Sequence, residues 1–275
     1  MILKTSEKNR LRQQYGPWAV VTGASSGIGL ELARLLADAG LQLVINARQI
    51  ERLAPVAQQL RETYGIDVRM VAADVSAPGG VQQLIDDTDG LDVGLLVLSA
   101  GFGTSGLFLR SNLDEEINLL RVNAEAVLSL THHFGRRFAA QHRGGIILLS
   151  SMVAFQGVPY AANYAASKAY VQSLAEALAL ELKPDGVDVL AAAPGPVRSG
   201  FEQRANMAMT MSLTPEQVGV PILRALGRQT TVLPGWLTKL LVYALRTVPR
   251  WGKVRIMQQV MGGMTQHQRQ LQPNP

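Results

Sequence analysis

The sequence predicts an α/β fold: a doubly wound parallel sheet in a single domain, with a helical extension at the C-terminus. Three observations predict it. Short β-branched runs alternate with longer amphipathic stretches, the rhythm of right-handed βαβ units. Most of the short runs are continuously apolar, as strands are when helices cover both faces of their sheet. A glycine-rich turn joins the first run directly to the first amphipathic stretch.

Taken in order, strands are expected over 18–22, 41–46, 67–72, 93–99, 146–150 and 187–193, with a seventh at 230–233. Helices are expected over 28–39, 50–64, 81–86, 113–138, 163–182 and 215–226. Several carry the right punctuation. Gly40 follows the first helix, Pro184 and Gly186 follow the fifth, and Thr214-Pro215 offers an N-cap with proline at the first helical position. The chain divides into an N-terminal extension (1–16), a main domain (17–234) and a basic amphipathic extension (235–275), with no internal repeat or low-complexity linker.

Composition narrows the function. Apolar residues make up 47% and charged ones 17% of 275 residues, enough apolar surface for a packed core and too little charge for a disordered chain. With no cysteine, disulfides, thiolate metal sites and cysteine nucleophiles are excluded, which fits a cytoplasmic setting. The N-terminus turns polar at once, without the apolar segment of a secretory signal, and no run approaches the ~20 apolar residues of a membrane span. His132 and His133 are adjacent and cannot share a helix face, so no metal site is expected. The net charge of +5 is a C-terminal property: residues 217–275 hold eight Lys or Arg and no carboxylate. A solvated face, or an anionic membrane surface, would each account for it.

The turn Thr22-Gly23-Ala24-Ser25-Ser26-Gly27-Ile28-Gly29 sits between a strand and a helix. Glycines let the backbone approach a pyrophosphate, and a helix N-terminus offers unpaired N–H groups and a favourable dipole. The second strand ends in Asn46-Ala47-Arg48. A carboxylate there would hold a ribose 2′-hydroxyl; Arg48 suits a 2′-phosphate instead, so NADP(H) is expected as cofactor. Tyr164 and Lys168 lie four apart, on one helix face. A tyrosine is a weak acid, and an adjacent ammonium with an oxidised nicotinamide would lower its pKa. Ser150-Ser151 closes the fifth strand, thirteen residues before Tyr164 in the case of Ser151, at the edge where such sheets bind ligands. Pro194-Gly195-Pro196-Val197-Arg198-Ser199 forms a rigid turn at the same edge.

With these residues in this order and spacing, the chain resembles the short-chain dehydrogenase/reductase family, on a Rossmann fold. The matching elements run from Thr22 to about Phe201: the glycine turn, Asp74-Val75, Ser99-Ala100-Gly101, Asn123, Ser151, Tyr164 with Lys168, and Pro194-Gly195. The resemblance implies that Tyr164 is the proton donor in reduction and that Ser151 polarises the carbonyl. It implies that Lys168 holds the nicotinamide ribose and that Asn123 anchors a water relaying protons to Lys168. Gly23, Ser25, Ser26, Gly27, Ile28 and Gly29 would cradle the pyrophosphate. Asp74 and Val75 would contact the adenine, Ser99, Ala100 and Gly101 would line the cofactor, and Pro194, Gly195, Val197 and Ser199 would meet the carboxamide. Two positions depart from the family pattern: Leu98-Ser99 stands where Asn-Asn is usual, and Ser199 where threonine is usual. The segment Tyr15–Val21 and the basic tail further resemble 3-oxoacyl-CoA reductases and hydroxysteroid dehydrogenases.

The resulting expectation is an NADP(H)-dependent oxidoreductase acting on the carbonyl or secondary alcohol of an apolar, 3-oxoacyl-like or steroid-like small molecule. The alternative is a catalytically silent NADP(H)-binding regulator or scaffold on the same fold. Residues 200–213, with Phe201, Met207, Met209 and Met211, would form a substrate lid or pack on the core. Trp236, Leu237, Leu240, Leu241, Ala244, Leu245 and Val248 form a helical stripe flanked by Lys239, Arg246 and Arg250. Peripheral membrane contact through 236–255, or packing on the domain or another subunit, would each use it. Nucleic-acid binding is not expected, because the basic residues are spread among apolar ones. The family resemblance implies a homodimer or homotetramer through 113–138 and 163–182.

Overall fold

The structure is a computed structural model that describes residues 2–208 and 212–270. The elements run α1 (Thr5–Tyr15), β1 (Trp18–Thr22), α2 (Gly27–Asp38), β2 (Gln42–Ala47), α3 (Ile50–Tyr64), β3 (Val68–Ala72), α4 (Gly80–Asp86) and β4 (Val93–Leu98). They continue with α5 (Leu113–Leu120), α6 (Ala126–Gln141), β5 (Gly144–Leu149), α7 (Ala162–Glu181), β6 (Val187–Ala192), α8 (Phe201–Arg204), α9 (Pro215–Ala225) and β7 (Thr231–Val232). Three further helices close the described chain: α10 (Trp236–Arg246), α11 (Arg250–Met264) and α12 (Gln266–Gln270).

The seven strands form one parallel sheet in the order β3-β2-β1-β4-β5-β6-β7. The order reverses between β1 and β4, and there the connections leave in opposite directions, opening a crevice at the carboxyl edge. Thr22, at the end of β1, lies in register with Asn46 on one side and Leu98 on the other. The sheet is buried on both faces, which is why its strands read as apolar runs. Leu32 and Leu36 of α2, Leu53 and Leu60 of α3 and Leu223 of α9 cover one face. Phe134 and Phe138 of α6, with Val171 and Ala175 of α7, cover the other. Each such Leu or Phe stabilises the fold by roughly 1.5–3 kcal/mol through burial.

Two departures from the sequence reading matter, along with one alternative that it left open. Residues 1–16, expected as an extension, contain α1, whose Leu11 and Tyr15 belong to the core. The Tyr15 hydroxyl donates to Asp188 of β6 at 2.7 Å, and Arg10 donates to the carbonyls of Leu223 and Leu226 at 2.9 Å. The expected helix over 113–138 is interrupted by a π-helical turn at Arg121–Glu125, which carries Asn123. The stripe over 236–248, for which packing on the domain was one of the alternatives, supplies α10, and with α11 it roofs the carboxyl-edge crevice.

Candidate active site

The crevice is a cleft of about 1020 Å³ running from the glycine turn to the roof helices. Its floor is held by Thr22. The buried hydroxyl oxygen of Thr22 accepts from the backbone N–H groups of Ser99 and Ala100, both at 3.1 Å, tying the ends of β1 and β4 together. The turn above it needs glycine at two places. Gly23 has φ +66°, and a side chain there would lie 2.8 Å from the Ala100 nitrogen. A side chain at Gly29 would collide with the carbonyl oxygen of Gly23, so Gly29 supports the turn without itself lining the cleft. Ser25, Ser26, Gly27 and Ile28 line the cleft, and Ser26, the N-cap of α2, makes no side-chain capping bond. The first turn of α2 is therefore not capped by a side chain, the arrangement found where a helix N-terminus meets an anion.

At the neighbouring strand end, Asn46 is buried and donates to the carbonyls of Val71 and Ala73, both at 3.0 Å. This fixes β2 against the start of the Asp74-Val75 loop. The Asp74 carboxylate accepts from the backbone and hydroxyl of Ser76 at 2.9 and 2.7 Å. Arg48, Asp74 and Val75 face the cleft on this side, joined by Arg52 of α3. Ser99, Ala100 and Gly101 form the opposite lip. The family's usual asparagine is absent there, and the backbone of Ser99 is instead anchored through Thr22.

Asn123 stands behind that lip. It is wholly buried; its Oδ1 accepts from Phe102 N at 3.1 Å, while its Nδ2 donates to Phe102 O at 2.9 Å and to Ser167 Oγ at 3.1 Å. The side chain thus ties the loop after β4 to α7 and does not line the cleft. Gly101 fits closely in the same place: a side chain there would sit 3.0 Å from Asn123 Oδ1 and 3.4 Å from Lys168 Nζ.

Ser151, Tyr164 and Lys168 converge in the middle of the cleft. Ser151 ends the β5 segment and caps a single 3₁₀ turn, Met152–Phe155, accepting from Val153 N at 3.4 Å. Burial pushes the Tyr164 phenol up to about 12, and the hydrogen bond with Ser151 opposes that rise. Burial brings the Lys168 ammonium down to about 8. Its Nζ donates to Leu149 O at 2.8 Å and lies 5.9 Å from the centre of the Tyr164 ring. Ser150, which faces the cleft beside Ser151, donates to the Lys168 carbonyl at 3.2 Å and so locks β5 to α7.

Pro194, Gly195, Val197 and Ser199 line the cleft after β6. Beyond them the cavity turns apolar. Phe201 of α8 packs on Tyr164 with ring centres 5.1 Å apart. Met152, Val153, Met207, Met257 and Met261 continue the wall, and Leu237, Leu241 and Leu245 of α10 close it. Of the methionines expected in the lid, Met207 is placed here, while Met209 and Met211 lie outside the described residues. The apolar stripe of α10 is split. Leu237, Leu241, Ala244 and Leu245 line the cleft, whereas Trp236 and Leu240 are 76% and 55% exposed. Arg52, Arg204 and the α10–α11 roof are site components that the sequence reading missed. Among the described residues no cluster of three metal-ligating side chains occurs, and no helix is long and apolar enough to cross a membrane.

The short chain dehydrogenase family profile matches residues 17–210. The chain belongs to the short-chain dehydrogenase family. It is an oxidoreductase interconverting C=O and CH–OH with a nicotinamide cofactor, and the assembled donor set and glycine cradle fit such a group. A 7β-hydroxysteroid dehydrogenase of Collinsella aerofaciens is 32% identical over 233 residues, covering 82% of this chain and 88% of the relative. A very-long-chain 3-oxoacyl-CoA reductase of Podospora anserina is 36% identical over 179 residues, covering 63% of this chain and 53% of the relative. Among solved structures, one of a 7β-hydroxysteroid dehydrogenase gives a TM-score of 0.83 at 31% identity, covering 90% of this chain and 98% of the other. A Sphingobium yanoikuyae short-chain dehydrogenase in complex with NADPH gives 0.79 at 29%, covering 84% and 92%. The silent-scaffold alternative finds no support in these relatives.

Proposed function

We propose that the enzyme uses NADPH to reduce a ketone on a bulky apolar substrate, steroid-like or long-acyl, to the secondary alcohol. The observation that carries this is the continuity of the cleft: it passes from Ser151 and Tyr164 straight into the chamber of Met152, Met207, Met257, Met261 and Leu245. Methionine-lined walls adapt to large irregular apolar shapes. The names of the steroid and acyl relatives point the same way. A nicotinamide held by the glycine turn and Lys168 would supply the hydride chemistry, in either direction, at the carbon whose oxygen Ser151 and Tyr164 address.

The chain's own residues then have defined roles. The Ser151 hydroxyl donates to the substrate carbonyl oxygen and polarises it. Tyr164 gives its phenolic proton to that oxygen as negative charge develops on it. Lys168 holds the ribose and, as an ammonium, stabilises the resulting phenolate. Asn123 positions the cofactor loop through its bonds to Phe102 and Ser167, in addition to any relay through bound water. Arg48 pairs with the ribose 2′-phosphate, which favours NADP(H) over NAD(H).

Two wider features belong to the same reading. The exposed apolar residues Leu113, Ile117 and Leu128 on α5 and α6, with Leu180 on α7, suit self-association into a homodimer or homotetramer. The exposed Trp236, Leu240, Tyr243 and Trp251 lie among Lys239, Arg246, Arg250 and Arg255 with no acid in the segment, which suits peripheral contact between a cytoplasmic protein and an anionic bilayer. NADPH oxidation with a panel of ketosteroids, 3-oxoacyl thioesters and small polar ketones tests the substrate class. Turnover concentrated on the first two supports it; a preference for small polar ketones or sugars would overturn it.

A further inference from the structure

The adenosine half of the cleft carries more positive charge than a single 2′-phosphate contact uses. Arg48, Arg52 and Arg204 line it from three places: the loop after β2, the first turn of α3, and the lid helix α8. Among the described residues none of the three is in an ion pair; the pairs present are Lys8–Asp38, Arg10–Glu7, Arg143–Asp92 and Arg228–Glu7. One oxygen of the acid on that wall, Asp74 Oδ1, accepts from both the N–H and the hydroxyl of Ser76.

Arg204 is placed with some precision. Its guanidinium stacks on the Phe102 ring, 3.9 Å from the centroid, and Phe102 is itself fixed by both backbone bonds to Asn123. Arg204 is solvent-exposed at its outer side; partial desolvation, and after it the neighbouring Arg48, disfavour the charged guanidinium, against weaker help from Glu115 and Asp74. Like charges gathered on one wall are stabilised by an anion between them, and a planar guanidinium suits a phosphate. Arg204 also rides on a single helical turn whose other end is Phe201, three residues earlier and packed against Tyr164. Residues three apart share one helix face, so this turn reaches from the reacting centre to the cationic wall.

We propose that Arg204 is a lid-borne clamp for the cofactor's 2′-phosphate, so that the phosphorylated cofactor draws α8 down over the substrate. This rests on the NADP(H) reading above and extends it to a specificity-determining residue on the lid. Cofactor identity is then sensed twice: by Arg48 on the sheet edge and by Arg204 on the element that covers the substrate.

The test is direct binding of NADP⁺ and NAD⁺ to the full chain by titration calorimetry, for the native protein, Arg204→Gln and Arg204→Lys. Arg204→Gln should weaken NADP⁺ about tenfold, equivalent to ~1.4 kcal/mol, and NAD⁺ less than about twofold. Arg204→Lys, which keeps the charge but neither the planar fork nor the stacking on Phe102, should lose about three- to fivefold for NADP⁺, less than Arg204→Gln. The free nucleotide 2′-AMP should follow NADP⁺, and 5′-AMP should follow NAD⁺. Retained NAD⁺ affinity in the same preparation shows that the cleft is folded. Equal weakening of both cofactors, or no weakening of either, would overturn the clamp while a native preference for NADP⁺ left the cofactor reading standing. If the native protein bound both equally, the cofactor reading would fall first and the clamp with it.

Discussion

Replacing Asn123 with alanine isolates the link between the cofactor loop and α7. The substitution removes three hydrogen bonds and leaves the N–H and carbonyl of Phe102 without partners in a buried position. Ser167 loses little, because its hydroxyl still donates to the Tyr164 carbonyl at 2.8 Å. Each of the two buried unpaired groups costs about 1–3 kcal/mol, so the loss should be roughly 2–6 kcal/mol. In a domain of this size each kcal/mol moves Tm by about 2–4 °C, which gives a fall of about 4–24 °C. Part of the damage should reach the cofactor, since Gly101 lies between Asn123 and Lys168; a Kd for NADP⁺ raised about tenfold would correspond to ~1.4 kcal/mol. Asn123→Asp keeps the acceptor for Phe102 N but turns the donor into an acceptor facing the Phe102 carbonyl, and should recover less than half. Thermal unfolding with and without NADP⁺ measures both quantities. A variant within about 2 °C of the native protein and with unchanged NADP⁺ affinity would refute the tethering role.

Other outcomes follow from the same contacts. Lys168 holds a pKa of about 8 in the fold against an ordinary 10.5, so between these values the unfolded chain binds more protons. Stability of the cofactor-free enzyme should therefore rise with pH across that window, and Lys168→Met should flatten the rise in denaturant titrations at pH 8 to 10. Tyr164 acts oppositely above pH 10, where the unfolded phenol ionises first and stability declines. Arg48→Gln should lower kcat/KM for NADPH roughly 10- to 100-fold with little change for NADH, as steady-state kinetics will show; equal losses would remove Arg48 from the phosphate site. The basic roof should pellet the protein with anionic liposomes at low salt, and about 0.5 M salt should release it; failure to pellet would leave α10 and α11 as a roof alone.

The sheet was legible because its burial on both faces leaves continuous apolar runs, such as Val93–Leu98, that alternation cannot disguise. The glycine turn and the Ser151–Tyr164–Lys168 set stand out in the sequence by residue type at fixed spacing, and the structure brings them to one cleft. α1 was not legible: its surface is polar, and it is held by two apolar residues and the donors of Arg10, none of which makes a periodic pattern. The π-helical turn at Asn123 was hidden because one extra residue per turn barely shifts the apolar spacing of a long helix. The stripe on α10 announced an apolar face, yet only tertiary structure tells which residues roof the cleft and which stay in solvent. Arg204 sits on four helical residues, too few for any period to register.

The central claim is that Tyr164 gives the proton while Ser151 and Lys168 organise it. Tyr164→Phe removes one oxygen and keeps the ring that packs on Phe201. Single-turnover oxidation of NADPH with a reducible ketosteroid, paired with NADP⁺ calorimetry, is the direct measurement. The rate should drop by about 10²–10⁴-fold while NADP⁺ affinity stays within about twofold. A Tyr164→Phe enzyme that turns over at the native rate would contradict the account.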